Sequence, residues 1–332
     1  MQTIFEDKTK NRSIVGDGLG MVFSNKRYII WFWLLNLVLA WIGASAFRQS
    51  AHSILDHSLY SEKLVHGFDV SVFGELLARP EFGSMAEVTT PALSLAFVFF
   101  LATALFLPGV FAGYASTYRL PREDFFRACG RNLWRFIRLM IVAGIVMGIV
   151  AGILFAANGA IAKKATESTN EVLPFTLRMI GLFVIFLIMT TLRIWFDLAE
   201  ADVVLNDQRA VRKSIAAGFR HTFRGSARLL SSYVFATIFA AIFLVGGIWG
   251  WERFLPSDGI VRAFLLSQLI LFLLLIPRFW QRGMAVSYWK QRMQIPVVAA
   301  VTAPATPEPV PVAAVPEAAP VIPATIAPTE GS

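Results

Sequence analysis

Six long apolar runs, set apart by segments that hold most of the charge, limit what this chain can fold into. They cover residues 28–47, 92–114, 137–157, 175–196, 229–249 and 261–279. A helix needs roughly 20 mainly apolar residues to cross a ~30 Å hydrocarbon layer, and each run is long enough. One water-soluble core cannot hide so much apolar surface: the 332 residues are 56% hydrophobic and only 16% charged, with mean hydropathy +0.61. The excess has to face lipid. The expected fold is therefore an all-α integral membrane helical bundle of about six transmembrane helices. Arg178 stands near the edge of the fourth run, from where its guanidinium can snorkel to the headgroups.

Orientation follows from where lysine and arginine fall between the runs. Lys8, Lys10, Arg12, Lys26 and Arg27 precede the first, and Arg119, Arg122, Arg127, Arg131 and Arg135 lie between the second and third. Arg209, Arg212, Lys213, Arg220, Arg224 and Arg228 separate the fourth and fifth, and Arg282, Lys290 and Arg292 follow the sixth. The alternate loops are poorer in base and richer in acid, with Asp56, Glu62, Glu81, Glu167 and Glu171 among their residues. The positive-inside rule then predicts both termini in the cytoplasm of a bacterium and the spans in its inner membrane. The loops account for the net charge of +8, so no nucleic-acid partner is expected. Cys129 is the only cysteine, which excludes an intrachain disulfide and a cysteine-rich metal cluster.

The segments outside the runs differ in character. Residues 1–27 read as a cytoplasmic N-terminal segment ahead of an uncleaved signal anchor. Residues 48–90 space their apolar side chains at helical intervals, which predicts amphipathic helices at the outer interface. Residues 296–332 are rich in Pro, Ala, Val and Thr and read as a disordered or polyproline-like cytoplasmic tail. Two inside elbows look alike. Residues 125–138 and 208–224 each interleave basic and apolar residues as an interfacial helix does, and both the duplication of a hairpin and a shared compositional bias account for them.

Local motifs favour packing over chemistry. Gly144, Gly148 and Gly152, continued by Ala156 and Ala160, form a smooth ridge where another backbone can come close, either from this chain or from a second copy. Pro108-Gly109 and Pro277 can kink their helices. Gly16, Gly18 and Gly20 precede a span and follow no strand, so they predict a flexible joint and not a phosphate cradle. His52, Asp56, His57 and His66 share the outer loop as interfacial polar residues. No H-E-x-x-H, G-x-S-x-G or Walker-type loop occurs, so no catalytic residue, metal site or cofactor is assigned. Asp197, Glu200 and Asp202 sit where the fourth span should end, with Arg193 one turn earlier. A helix C-terminus disfavours negative charge, so an ion-pair lock with Arg193 and the arginines of the first elbow is expected there.

The stretch WFDLAEADVVLNDQRAVRKSIAAGFRHTFRG, followed by a span, and the ending RFWQRGMAVSYWKQRM resemble bacterial multi-pass proteins related to the membrane domain of glycerophosphoryl diester phosphodiesterase. The resemblance covers the second half of the chain and implies a six-span helical module. The catalytic phosphodiesterase domain has no counterpart here, so no activity is carried over. A non-catalytic membrane module that binds anionic lipid or a protein partner is expected, with Arg127, Arg131, Arg135, Arg212, Lys213 and Arg220 as lipid contacts. The partner could equally be a second copy of the chain. A small transporter or channel is the alternative, for which Asn36, Ser267 and Gln268 are the polar residues at depth.

Overall fold

In the computed structural model of the chain, residues 13–55, 85–116, 118–166, 172–254 and 260–293 are described. Among them are eight α-helices and no strand: α1 (Ile14–Ser24), α2 (Arg27–Leu55), α3 (Met85–Ala115), α4 (Arg122–Ala165), α5 (Val172–Leu205), α6 (Val211–Arg224), α7 (Ser226–Phe254) and α8 (Ile260–Tyr288). A single π-helical turn, Trp289–Met293, follows α8. Helices α3, α4, α5, α7 and α8 are long and apolar enough to cross a membrane, which is consistent with a multi-pass membrane protein. The first apolar run forms α2, whose described side chains end at Gly43 and make a shorter apolar helix. The outer loop, His52, Asp56, His57, His66 and the tail lie outside the residues whose side chains are described.

Helix ends depart from the runs in a way that matters for the site. Helix α4 is continuous over 44 residues, about 66 Å at 1.5 Å per residue. The first elbow is thus the start of α4 itself, because no proline interrupts it. The second elbow is a separate helix, α6, cut from α5 by a turn in which Asp207 takes a left-handed φ of 50° and from α7 by Gly225. The two hairpins therefore differ at their elbows. Helix α5 runs on to Leu205, so Asp197 and Glu200 lie inside it and the dipole argument does not reach them.

Buried side chains gather in one half of the bundle. Tyr28 and Phe32 come from the start of α2, Phe111 and Tyr114 from the end of α3, and Phe125 and Phe136 from the start of α4. The start of α7 and the end of α8 add Leu229, Tyr233, Phe279 and Met284. Toward the other half the helices present Phe97, Ile149, Ile153, Phe175, Val245 and Leu265 outward. Only 6% of the most apolar stretch of α4 is buried, as suits surface in contact with acyl chains. The packed half is also the basic half. Arg27 donates to the Leu120 carbonyl at 2.7 Å, and Lys290 to that of Tyr114 at 3.4 Å, tying helix ends together there.

Lipid gives helices no hydrophobic reason to associate, so close backbone approach does that work. At Gly109 an added Cβ would lie 2.5 Å from the Phe125 ring and 2.7 Å from Cys129 Sγ, and at Gly113 it would meet Tyr28. These two glycines, one turn apart on α3, seat an aromatic knot in which Tyr28 stacks on Phe125 with centroids 5.3 Å apart. Gly18 meets Gly283 backbone to backbone, a Cβ on Gly283 falling 2.6 Å from the Gly18 oxygen. The expected flexible joint is therefore a helix, α1, that crosses α8 closely. The expected ridge of Gly144, Gly148 and Gly152 touches nothing within 4 Å of where a Cβ would be. No described span of this chain covers it.

Candidate functional site

The end of α5 is enclosed on every side: all residues from Phe196 to Val203 are buried, Asp197, Glu200 and Asp202 among them. A helix buried all round is normally apolar throughout. Here three carboxylates must be satisfied from within the bundle. The Tyr233 hydroxyl, on α7, donates to Asp197 Oδ2 at 2.9 Å. Arg193 Nε lies 3.8 Å from the same oxygen, one helical turn away. Asp202 accepts from the Asn206 amide at 2.6 Å.

Helix α8 supplies the remaining charge. Arg278 and Arg282, one turn apart, act electrostatically on both Asp197 and Glu200. Arg282 is itself buried, and the Phe279 ring lies beneath its guanidinium at 5.3 Å. Arg193 and the buried Arg282 thus oppose Asp197 and Glu200, and Arg278, itself exposed, adds to their field. Three polar atoms in this region are buried without a hydrogen-bond partner: Glu200 Oε2, Arg282 Nε and Tyr114 Oη. Desolvated charge of this kind is costly, and it is tolerated only where several opposite charges converge.

The first-elbow arginines do not join this cluster. Arg135 donates to Asp207 Oδ1 at 2.6 Å, and Arg131 pairs with the other oxygen of the same carboxylate. The lock between elbow and α5 hairpin therefore closes on the turn after α5, not on Asp197, Glu200 or Asp202. Asp207 can serve because aspartate tolerates the left-handed backbone that the turn requires. The Arg135 hydrogen bond, then that of Arg131, holds its carboxyl below the usual range. A depressed native value means that the stabilisation is complete above the unfolded carboxyl's value of about 3.9. It declines as pH falls below that value and is gone once pH drops beneath the native one. Asp207→Asn keeps the turn and removes the charge, and because the pair is partly solvated the cost at neutral pH is expected to be about 1 kcal/mol or less. The gap in thermal unfolding between wild type and variant should close on acidification below pH ~4. A gap that does not vary with pH would rule the latch out.

Of the other lipid contacts expected, Arg127 pairs with Asp124 in its own helix at 2.8 Å. Arg212, Lys213 and Arg220 are exposed on α6 and have no ion pair among the described residues. Helix α6 buries Ser214, Gly218 and Thr222, a narrow stripe that lets it lie close on α5. At Gly218 a Cβ would come 2.7 Å from the Trp195 carbonyl, and Trp195 Nε1 donates to the Ile215 carbonyl at 2.7 Å. Phe219 and Phe223 are left outward beside the bases, 46% and 58% exposed. Of the polar residues at depth, Asn36 bonds to the Phe32 carbonyl and Ser267 to that of Phe264, each at 2.7 Å, while Gln268 Oε1 is buried without a hydrogen-bond partner.

Tyr233 and Arg278 were not singled out in the sequence, and Arg282 was read only as one of the bases that follow the sixth run. Among the described residues no group of three or more His, Cys, Asp or Glu is placed to hold a metal. No family model matches the chain, and neither a curated protein nor a solved structure does.

Proposed function

We propose that the chain is a non-catalytic membrane module that recruits anionic lipid to the cytoplasmic face of a bacterial inner membrane through α6. The observation that carries this reading is the inverted amphipathicity of α6. Its small and polar stripe faces the protein, while Phe223, Arg212, Lys213 and Arg220 face away from it and Phe219, whose ring meets Trp195 edge-on at 5.1 Å, stays half exposed beside them. A helix that turns aromatic and basic side chains outward together fits a headgroup layer, into which the rings insert while the bases meet lipid phosphates. Both chain termini lie in the cytoplasm under this reading. Kinship with the membrane-domain family belongs to the same proposal.

Each juxtamembrane base contributes about 1 kcal/mol at an anionic surface. The triple variant Arg212→Gln, Lys213→Gln, Arg220→Gln should therefore lose on the order of a hundredfold in preference for phosphatidylglycerol over phosphatidylcholine. Lipid retention by the full chain, measured by native mass spectrometry from mixed nanodiscs, reads this directly. An unchanged preference would refute the proposal. The buried acids with the unpartnered Glu200 Oε2 favour a second reading, passage of a proton or cation through the bundle.

A further inference from the structure

Tyr114 Oη on α3, Glu200 Oε2 on α5 and Arg282 Nε on α8 are buried and have no hydrogen-bond partner among the described residues. Their side chains are among the most enclosed in the bundle, at 1%, 8% and 5% exposed. The Arg282 charge acts on both of the others, which places the three in one neighbourhood. We propose that a single water molecule joins them, accepting from Tyr114 Oη and Arg282 Nε and donating to Glu200 Oε2. The inference goes beyond the lipid-binding reading and does not depend on it.

Buried water in proteins makes about three hydrogen bonds, to polar groups that neither side chain nor backbone reaches. Two donors and one acceptor form the set that the oxygen and one hydrogen of a water molecule complete. Bare polar groups in a low-dielectric interior are costly, most of all a carboxylate and a guanidinium that carry charge. The neutral donors nearby are committed elsewhere. The Tyr233 hydroxyl donates to Asp197 Oδ2 at 2.9 Å, and the Gln281 amide serves the Tyr233 carbonyl at 3.3 Å and Thr237 Oγ1 at 3.0 Å. Charge then selects the ligand. A metal ion at this spot would face Arg282 and Arg193, and an anion would face Glu200 and Asp197. A neutral molecule that both donates and accepts is repelled by none of them. Size agrees, because Leu198 and Ala201 of α5 and Phe279 and Ala285 of α8 are 0% exposed, and only a small molecule fits among such neighbours. The bridge ties α3 to α5 and α8, and it gives Glu200 a neighbour through which a proton can be passed.

The test is hydroxyl-radical footprinting of the full chain in nanodiscs by brief X-ray exposure, which creates radicals from bound water in place and marks the side chains that touch it. Tyr114 should be oxidised at a rate comparable to that of Tyr118, which is 83% exposed. Phe136, 0% exposed and without a polar atom, should stay unmodified in the same sample. A Tyr114 as silent as Phe136 overturns the proposal, and that outcome needs no variant. Glu200→Leu removes the acceptor and should abolish the Tyr114 mark in protein that thermal unfolding shows to be folded. A mark that persists there overturns Glu200 as a partner, and the bridge with it. If that variant does not fold, Tyr114→Phe keeps the ring and takes away one partner, so the mark at position 114 should be lost, and its survival overturns the bridge. The α6 triple variant should leave the Tyr114 mark unchanged, so a failure of the lipid reading and a failure of the water site are observed separately.

Discussion

Gly113→Leu is expected to unfold the protein on the order of 5–10 °C below wild type in detergent, whereas Gly148→Leu should leave its unfolding temperature unchanged. Both are glycines inside long apolar helices, and both substitutions improve helix propensity by a similar amount. They differ in what a side chain would meet. At Gly113 a Cβ would collide with Tyr28, a fully buried ring held by Phe125 and Tyr114. It has no flexible end that could move aside. Overpacking of that kind costs about 3 kcal/mol, and in a bilayer no hydrophobic gain offsets it. At Gly148 there is nothing within 4 Å. Comparable losses at the two positions, measured by fluorescence-detected thermal unfolding, would show that the packed half is not centred on the α3 seat.

The same contrast explains how far the sequence could be read. Helical class and the apolar runs were legible because hydropathy over twenty residues is set by the lipid and needs no knowledge of neighbours. The glycine ridge was not, because spacing by four marks a smooth face without saying whether anything covers it. Gly109 and Gly113 have that spacing too, but Pro108 beside them drew the reading toward a kink. The elbow arginines were legible as partners for acid, and the identity of the acid was not. Hydropathy ends the fourth run at Phe196, while the helix continues to Leu205 and carries Asp197 and Glu200 past the elbow into the centre of the bundle. Asp207, in the turn that follows, is left where Arg131 and Arg135 can reach it. The bases of α6 were visible in the sequence, but which way the helix turns them depends on Ser214, Gly218 and Thr222 fitting against α5.

Arg282→Met is expected to be among the most damaging single changes, because it leaves Asp197 and Glu200 buried with less opposing charge. Removing one member of a buried ionic group costs about 3–5 kcal/mol, most of it the desolvation of what remains. The double variant Arg282→Met with Glu200→Gln should recover a large part of that loss, since the neutral amide no longer needs the missing guanidinium. Strict additivity of the two substitutions in thermal unfolding would mean that Arg282 and Glu200 do not act on each other. Glu200→Gln alone then separates the two functional readings. If the cluster only fixes how α5 meets α7 and α8, this variant folds and still binds anionic lipid, because Tyr233 and Arg193 continue to hold Asp197. If the cluster passes a proton or cation, the same well-folded variant should lose that flux in proteoliposomes. The unpartnered Oε2 makes Glu200 the position where this difference is greatest, since it is the buried carboxylate oxygen in the cluster that no protein donor occupies.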